Sequence, residues 1–391
     1  MIDKKQKFFL IAGESSGDIH AAQMVTAYKK KEPDAEFTCI GGPALEAVGA
    51  NILIPNSKLA VVGLFEIITH SKEIISAYKQ VVKWLRVHRP TALVLVDYPE
   101  FNMLIASQAK RLGIPVFYYI SPQIWAWRQG RARKIRRLVD KMAVILPFEK
   151  EFYRRYGMDV EFVGHPLKDE VRVETHRDQY LTEIGCSPEE VTVSLLPGSR
   201  SGEVKRHLKM MLHAALIIKS KLGTACHFII PQAPGLPVGI KRFMEEEVRE
   251  AGLFSGPNTI ITIGNAHNVL AASHLSILAS GTVALEAAIL STPMLVTYRL
   301  SPLTYHLGKR LIKVKWASLV NLIAQHEVVP ELLQNDAEPE KIAATALDYL
   351  KYPKKINDMK AGLREVTELL GPPGASARAA ELLRTFTQSR F

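Results

Sequence analysis

Short apolar runs, each ending in a loop of small or polar residues, recur along the chain and alternate with segments of helical spacing. In the first half the runs are Phe8–Ala12, Phe37–Ile40, Ala92–Val96, Val116–Ile120, Met142–Leu146 and Val160–Val163. Ala92–Val96 is apolar at every position, as a parallel strand buried on both faces should be. Polar sequence to about Glu190 reads as a linker, and the pattern then restarts. Its second set of runs is Val191–Leu196, His227–Ile230, Thr259–Ile263, Leu275–Leu278 and Met294–Tyr298. Leu208, Met211, Leu212 and Ala215 fall on one helical face after the first of these. Strands alternating with helices predict an α/β protein with two doubly wound domains. We place them at residues 1–185 and 186–365, with a C-terminal helical piece at 366–391 that holds an amphipathic helix from Ser376 to Phe386.

Charge narrows the partners. A net charge of +11 over 391 residues points to a polyanion: nucleic acid, an anionic lipid surface or phosphorylated substrates. The densest cationic run, Arg128 to Arg137, includes Arg131, Arg133 and Arg136 and adjoins Trp125 and Trp127. It reads either as a solvated basic helix or as an interface of aromatics and cations suited to a membrane or a stacked base. No nucleic-acid-binding signature accompanies it. Leu59–Ile68, with Val62, Leu64 and Phe65 around the single acid Glu66, reads as a buried helix or as an exposed patch admitting acyl chains. No apolar run approaches the ~20 residues needed to span a bilayer, and no signal peptide is visible. Three scattered cysteines, Cys39, Cys186 and Cys226, form neither a disulfide framework nor a metal motif, which fits a reducing cytoplasm. His165, His207 and His213 lack metal-ligand spacing, so no metal or other cofactor is expected.

Chemistry concentrates at strand ends. Leu275–Leu278 runs into Ser280-Gly281-Thr282 and a helical segment, a design that gathers free backbone N–H groups where a phosphate can bind. Glu286, four residues after Thr282, shares its helical face and suits sugar hydroxyls. Pro197-Gly198-Ser199-Arg200 is a second such loop, with Arg200 offering a planar fork to a diphosphate. Gly13-Glu14-Ser15-Ser16-Gly17-Asp18 repeats the design near the start, without a GxGxxG fingerprint. Asp18 is expected to cap the helix through Ala21 to Lys30. Asp97 tops the most apolar strand, at the carboxyl end where open α/β sheets bind ligands, and suits an acid or base.

These stretches together resemble the lipid-A-disaccharide synthases, glycosyltransferases of the GT-B fold (family 19). The resemblance is carried by Ala12–Asp18, Ser121–Arg128, Leu146–Glu149, Leu196–Arg200, Ala279–Thr282 with Glu286, and Asn321. It runs nearly end to end. It implies two Rossmann-like domains facing a cleft, with the C-terminal helices returning to the first domain. The implied reaction joins UDP-2,3-diacylglucosamine to 2,3-diacylglucosamine 1-phosphate, giving the β-1,6 lipid A disaccharide 1-phosphate and UDP. Asp97 is then the base. Gly198, Ser199, Arg200, Ser280, Gly281, Thr282, Glu286 and Asn321 belong to the donor site. Glu14, Ser16, Gly17, Glu66, Gln123 and Trp125 line the acceptor side. Membrane contact falls to Val62, Leu64, Phe65, Trp127, Arg131, Arg133 and Arg136, on the cytoplasmic face of a Gram-negative inner membrane. A homodimer is compatible with the resemblance. The family more often has a second Asp where this chain has Glu100. Two other readings stay open: another UDP-sugar transferase or a UDP-N-acetylglucosamine epimerase, and a non-catalytic lipid- or nucleic-acid-binding protein.

Overall fold

The computed structural model describes residues 5–58, 71–223, 226–252, 259–300 and 314–389. Leu59–Ile68, with Val62, Leu64, Phe65 and Glu66, lies outside them. The chain forms two compact units, Met1–Lys168 with Leu370–Phe391, and Asp169–Leu369.

The first unit is built on β1 (Lys7–Ala12), β2 (Glu36–Gly41), β3 (Asn51–Pro55), β4 (Ala92–Val96), β5 (Val116–Tyr119), β6 (Lys141–Val144) and β7 (Glu161–Phe162). They form one parallel sheet in the order β3-β2-β1-β4-β5-β6-β7. Helices cover its faces, so β4 is fully buried, as its unbroken apolar run requires. The strand order reverses between β1 and β4, which pair from Phe8↔Ala92 to Ala12↔Val96. Loops leaving neighbouring strands at such a reversal diverge and open a crevice. The loop after Ala12 and the turn at Asp97 therefore share one place. The final helix, Ala375–Gln388, packs on the first helix, Ser15–Lys29. Ser376 Oγ donates to Gln23 Oε1 at 3.1 Å, and Arg378 Nε donates to Val163 O at 2.8 Å.

The second unit repeats the plan with β8 (Val191–Leu196), β9 (Cys226–Gln232), β10 (Thr259–Ile263), β11 (Leu275–Ala279), β12 (Met294–Tyr298) and β13 (Glu331–Leu333). Its parallel order is β10-β9-β8-β11-β12-β13. The reversal lies between β8 and β11, which pair from Leu275↔Val193 to Leu278↔Leu196. The Pro197–Arg200 and Ser280–Thr282 loops leave these two strands. Leu208, Met211, Leu212 and Ala215 on the long helix Ser201–Leu222 are buried in this unit's core.

Three sequence expectations shift. Residues 169–185 fold with the second unit, because Tyr180 and Leu181 of the helix Arg177–Glu183 pack with Val269, Ala272 and Ile229. The helix Pro353–Leu369 likewise runs past residue 365 within the second unit. Asp18 sits inside the helix Ser15–Lys29 rather than capping it. Its buried carboxylate instead accepts Gly42 N at 2.7 Å and Ala44 N at 2.9 Å, capping the next helix, Pro43–Ala47.

Candidate active site

At the end of β4 the backbone is forced. Asp97 and Tyr98 both adopt left-handed conformations, φ 44 and 45, which cost non-glycine residues on the order of 1–3 kcal/mol each. Two donors hold the turn: Asn102 Nδ2 at 2.5 Å and Tyr118 Oη at 2.6 Å, both on Asp97 O. Burial pushes the Tyr118 phenol far above its ordinary range, so it remains a donor. Asn102 is fully buried within the helix Pro99–Arg111. The Asp97 carboxyl is half-buried at the strand tip.

The glycines of the first loop make room for this turn. A Cβ on Gly13 would lie 2.5 Å from the Tyr98 ring, so no larger residue fits. Gly17 lies against the end of β4, where a Cβ would meet Val96 at 3.7 Å. Ser16 is exposed and Glu14 half-buried. Burial, with the negative charge of Glu14 adding to it, raises the Tyr98 phenol. Glu14, Ser16, Gly17 and Asp97 are thus brought together.

The tryptophan segment divides. Trp125 is 5% exposed and meets Phe148 edge to face at 4.9 Å. It is a packing residue, so its place on an acceptor-facing surface is withdrawn. Gln123, at the start of the short helix Ile124–Trp127, is exposed. Trp127 is 43% exposed, with the Arg128 guanidinium 3.9 Å above its ring. Arg131 points to Glu100, donating from Nη1 at 2.5 Å and Nη2 at 3.1 Å, and Arg128 Nη1 joins at 2.9 Å. Arg131, beside Glu100, holds that carboxyl below its ordinary range, and Arg128 adds to the effect. Arg131 is thus paired with Glu100, whose side chain is 65% exposed, so the ion pair lies at the surface. Arg133 and Arg136 are exposed on the helix Ala132–Leu138.

Glu149 ends the Leu146–Glu149 stretch that carries the resemblance, and no role of its own follows from sequence. It is 1% exposed at the end of β6, accepting Ser121 Oγ at 2.6 Å, Leu146 N at 3.0 Å and Ile145 N at 3.3 Å. Burial pushes its carboxyl up to about 7, against the pull of those donors. The Trp125 indole N–H makes no hydrogen bond of proper geometry, yet faces the same carboxylate closely enough to favour its charge. Glu149 ties the loop after β5 to the loop after β6. The strand-end position in Leu146-Pro147-Phe148-Glu149 was the available signal.

In the second unit the two small-residue loops stand side by side. Gly198 has φ 124, and a Cβ there would strike Glu203 at 2.6 Å. Glu203 Oε2 accepts Ser199 N at 3.2 Å and Arg200 N at 3.4 Å, capping the helix Ser201–Leu222. The Arg200 side chain is 62% exposed, its Nη1 3.8 Å from Glu203 Oε1. Fully buried His207 braces the loop from below. Its Nε2 accepts Arg299 N at 3.0 Å, so Nδ1 carries the proton and donates to Pro197 O at 3.2 Å.

Across the reversal, Ser280 Oγ donates to Ala317 O at 3.0 Å, while Gly281 and Thr282 are exposed. Glu286, in the first turn of the helix Val283–Ile289, is 19% exposed, with His267 Nε2 3.4 Å from its Oε2. Glu286 raises the His267 imidazole. Asn321 departs from expectation. It is fully buried, and its amide donates to Val329 O and Glu331 Oε1 and accepts Val328 N and Val329 N at 2.8–3.0 Å. All its hydrogen-bonding capacity is spent. It touches the site only indirectly: Glu331 also accepts Ala317 N and Ser318 N, and Ala317 O receives Ser280. Among the described residues no group of three or more metal-ligating side chains occurs.

A family model described as Lipid-A-disaccharide synthetase matches residues 8–384. The lipid-A-disaccharide synthase of Syntrophus aciditrophicus is 42% identical over 376 residues, 96% of each chain. That of Geobacter metallireducens is 40% identical over 378 residues, 97% of this chain and 96% of the other. Among solved structures, the UDP-N-acetylglucosamine 2-epimerase of Neisseria meningitidis bound to UDP-GlcNAc aligns with a TM-score of 0.65 at 13% identity, covering 98% of this chain and all of the other. The S. aureus MnaA–UDP complex aligns with a TM-score of 0.68 at 12% identity, over 98% and 97% of the two chains. These likenesses concern the fold.

Proposed function

The chain belongs to the lipid-A-disaccharide synthase family of glycosyltransferases, and on that premise we propose that it transfers 2,3-diacylglucosamine from UDP to the 6-hydroxyl of 2,3-diacylglucosamine 1-phosphate. Its two Rossmann-like units are the GT-B architecture, and it serves lipid A biosynthesis. The observation that carries the reading within the structure is the Asp97 turn. A strained backbone, held by two donors on the Asp97 carbonyl, fixes this residue at the carboxyl end of β4, where the first unit's strand order reverses.

The Asp97 carboxylate takes the proton of the acceptor's 6-hydroxyl as that oxygen attacks the donor's anomeric carbon. The bond from that carbon to the diphosphate breaks, its electron pair leaves with UDP, and the configuration inverts. In the second unit, Arg200 and the backbone of Ser280-Gly281-Thr282 receive the diphosphate charge, and Glu286 receives the ribose hydroxyls. Glu203 releases the Ser199 and Arg200 N–H groups to the phosphate as the donor enters. Glu14, Ser16 and Gly17 border the acceptor sugar. No described helix is long and apolar enough to cross a membrane. The chain meets its acylated substrates at an anionic membrane surface through exposed Trp127, Arg133 and Arg136.

UDP release by the purified chain tests the reading, with diacylated donor and acceptor compared against unacylated UDP-N-acetylglucosamine. Turnover confined to the acylated pair is expected, and release from the unacylated sugar alone overturns it. Asp97→Asn should keep UDP affinity and lose on the order of 10²–10⁴ in kcat; a variant with full turnover removes Asp97 from the chemistry.

A further inference from the structure

Next to the Asp97 turn the first unit holds a cleft of about 170 Å³ that no role above uses. Pro99, Met103, Leu104, Pro122, Ile124 and Ile135 line it. Its remaining lining is charged: Glu100, Arg131 and Lys134. Leu104 is 51% exposed, an apolar side chain left open to solvent at the cleft. Arg128, bound to Glu100, adds a third cation to that rim, so three positive groups face one carboxylate. An apolar interior with a cationic rim matches one kind of molecule, a linear alkyl or acyl chain ending near an anionic head. Inorganic phosphate would leave the interior unused, and a neutral chain would leave the cations unused.

We propose that this cleft takes one acyl chain of the acceptor, with Arg131 and Lys134 receiving its phosphate. The assignment rests on the transferase reading above and adds the place where the acceptor's acyl group is held. The cleft begins at Pro99, two residues beyond Asp97. In the acceptor sugar C5, which bears the 6-hydroxymethyl group, lies across the ring from C2 with its acyl group, and C1 with its phosphate neighbours C2. With the hydroxyl at Asp97, the ring directs phosphate and acyl chain toward the helices Pro99–Arg111 and Ala132–Leu138. Glu100 acts as the exchangeable counter-ion: it holds Arg128 and Arg131 until the phosphate replaces it.

Dodecyl phosphate is the probe, titrated by calorimetry into the full chain beside inorganic phosphate and dodecyl maltoside. Dodecyl phosphate should bind at least tenfold more tightly than either control. Leu104→Trp and Ile135→Trp fill the cleft from its exposed and buried sides. Each should weaken dodecyl phosphate at least tenfold and raise the acceptor KM, with UDP affinity as the control for an intact donor half. Leu104→Trp is the safer variant, because its side chain already meets solvent. Glu100→Gln should tighten dodecyl phosphate several-fold. Equal binding of inorganic phosphate, or unchanged dodecyl phosphate affinity in Leu104→Trp, overturns the assignment. UDP release that persists with an unchanged acceptor KM in both tryptophan variants also overturns it, leaving the transferase reading in place. Cleft-dependent dodecyl phosphate binding without UDP release does the reverse: the cleft stands and the reading of the reaction falls.

Discussion

At Glu149 a single buried carboxylate sets a pH dependence. Its folded-state value of about 7 lies above the ordinary 4.5, so between them the folded protein holds more protons than the unfolded chain. Stability from this group therefore declines as pH rises through that window, by on the order of a few kcal/mol. Glu149→Gln keeps an acceptor for Ile145 N and Leu146 N and an amide toward Ser121, and it cannot ionise. Denaturant unfolding at pH values from 5 to 8 should show a shallower decline in the variant than in the parent. Identical slopes would remove Glu149 as the titrating group. Its strand-end position is legible in the sequence, but its raised carboxyl arises only from burial at the crossing of two loops.

At the scale of elements, His207 links the helix Ser201–Leu222 to the loop that precedes it and to the end of β12. The imidazole serves as donor and acceptor at once, an arrangement only the neutral ring allows. Burial lowers its proton affinity below the ordinary 6.5. The unfolded chain therefore binds the extra proton first as pH falls, and the stability His207 supplies is complete above 6.5 and lost progressively below it. His207→Ala should cost about 1–3 kcal/mol from two unsatisfied backbone groups. It should also weaken UDP binding, since the Pro197–Arg200 loop loses its brace. Thermal unfolding and UDP titration at pH 7.5 measure both; a destabilised variant with unaltered UDP affinity would separate the brace from the donor site. The same scale explains the strands that the hydrophobic pattern missed. β3 and β13 lie at sheet edges and are partly exposed: β13 has three residues, and the apolar run of β3 is only Ile52-Leu53-Ile54 between Asn51 and Pro55, too brief to mark a strand.

For the molecule as a whole, the charge of +11 acquires a location. Arg133, Lys134, Arg136 and Arg137 are exposed on one short helix close in sequence to Trp127, whereas Arg128 and Arg131 are paired with Glu100. Binding to vesicles containing anionic lipid should weaken as salt rises from 50 to 500 mM, on the scale of screening of exposed charges. Neutralising Arg133 and Arg136 together should cost about 1 kcal/mol per charge. Sedimentation with vesicles measures it; a double variant that sediments like the parent would move membrane contact away from this helix.

Much of this protein is legible as pattern. Alternating apolar runs and helical spacing are local properties, so two α/β units, most strand positions and the loops at strand ends could be read directly. So could the strand-end position of Asp97, because a carboxylate closing a wholly buried strand stands out against its neighbours. Tertiary structure alone decided which of those loops meet. The reversal of strand order between β1 and β4, and again between β8 and β11, pairs stretches far apart in the chain, and no local preference encodes that pairing. It also decided what each polar group has left to offer. Asn321 and Trp125 look like ligand residues in sequence and are consumed by packing and backbone hydrogen bonds, while the Ser280-Gly281-Thr282 loop remains open. A side chain's type is written in the chain; its solvent and its partners are set only when distant segments close around it.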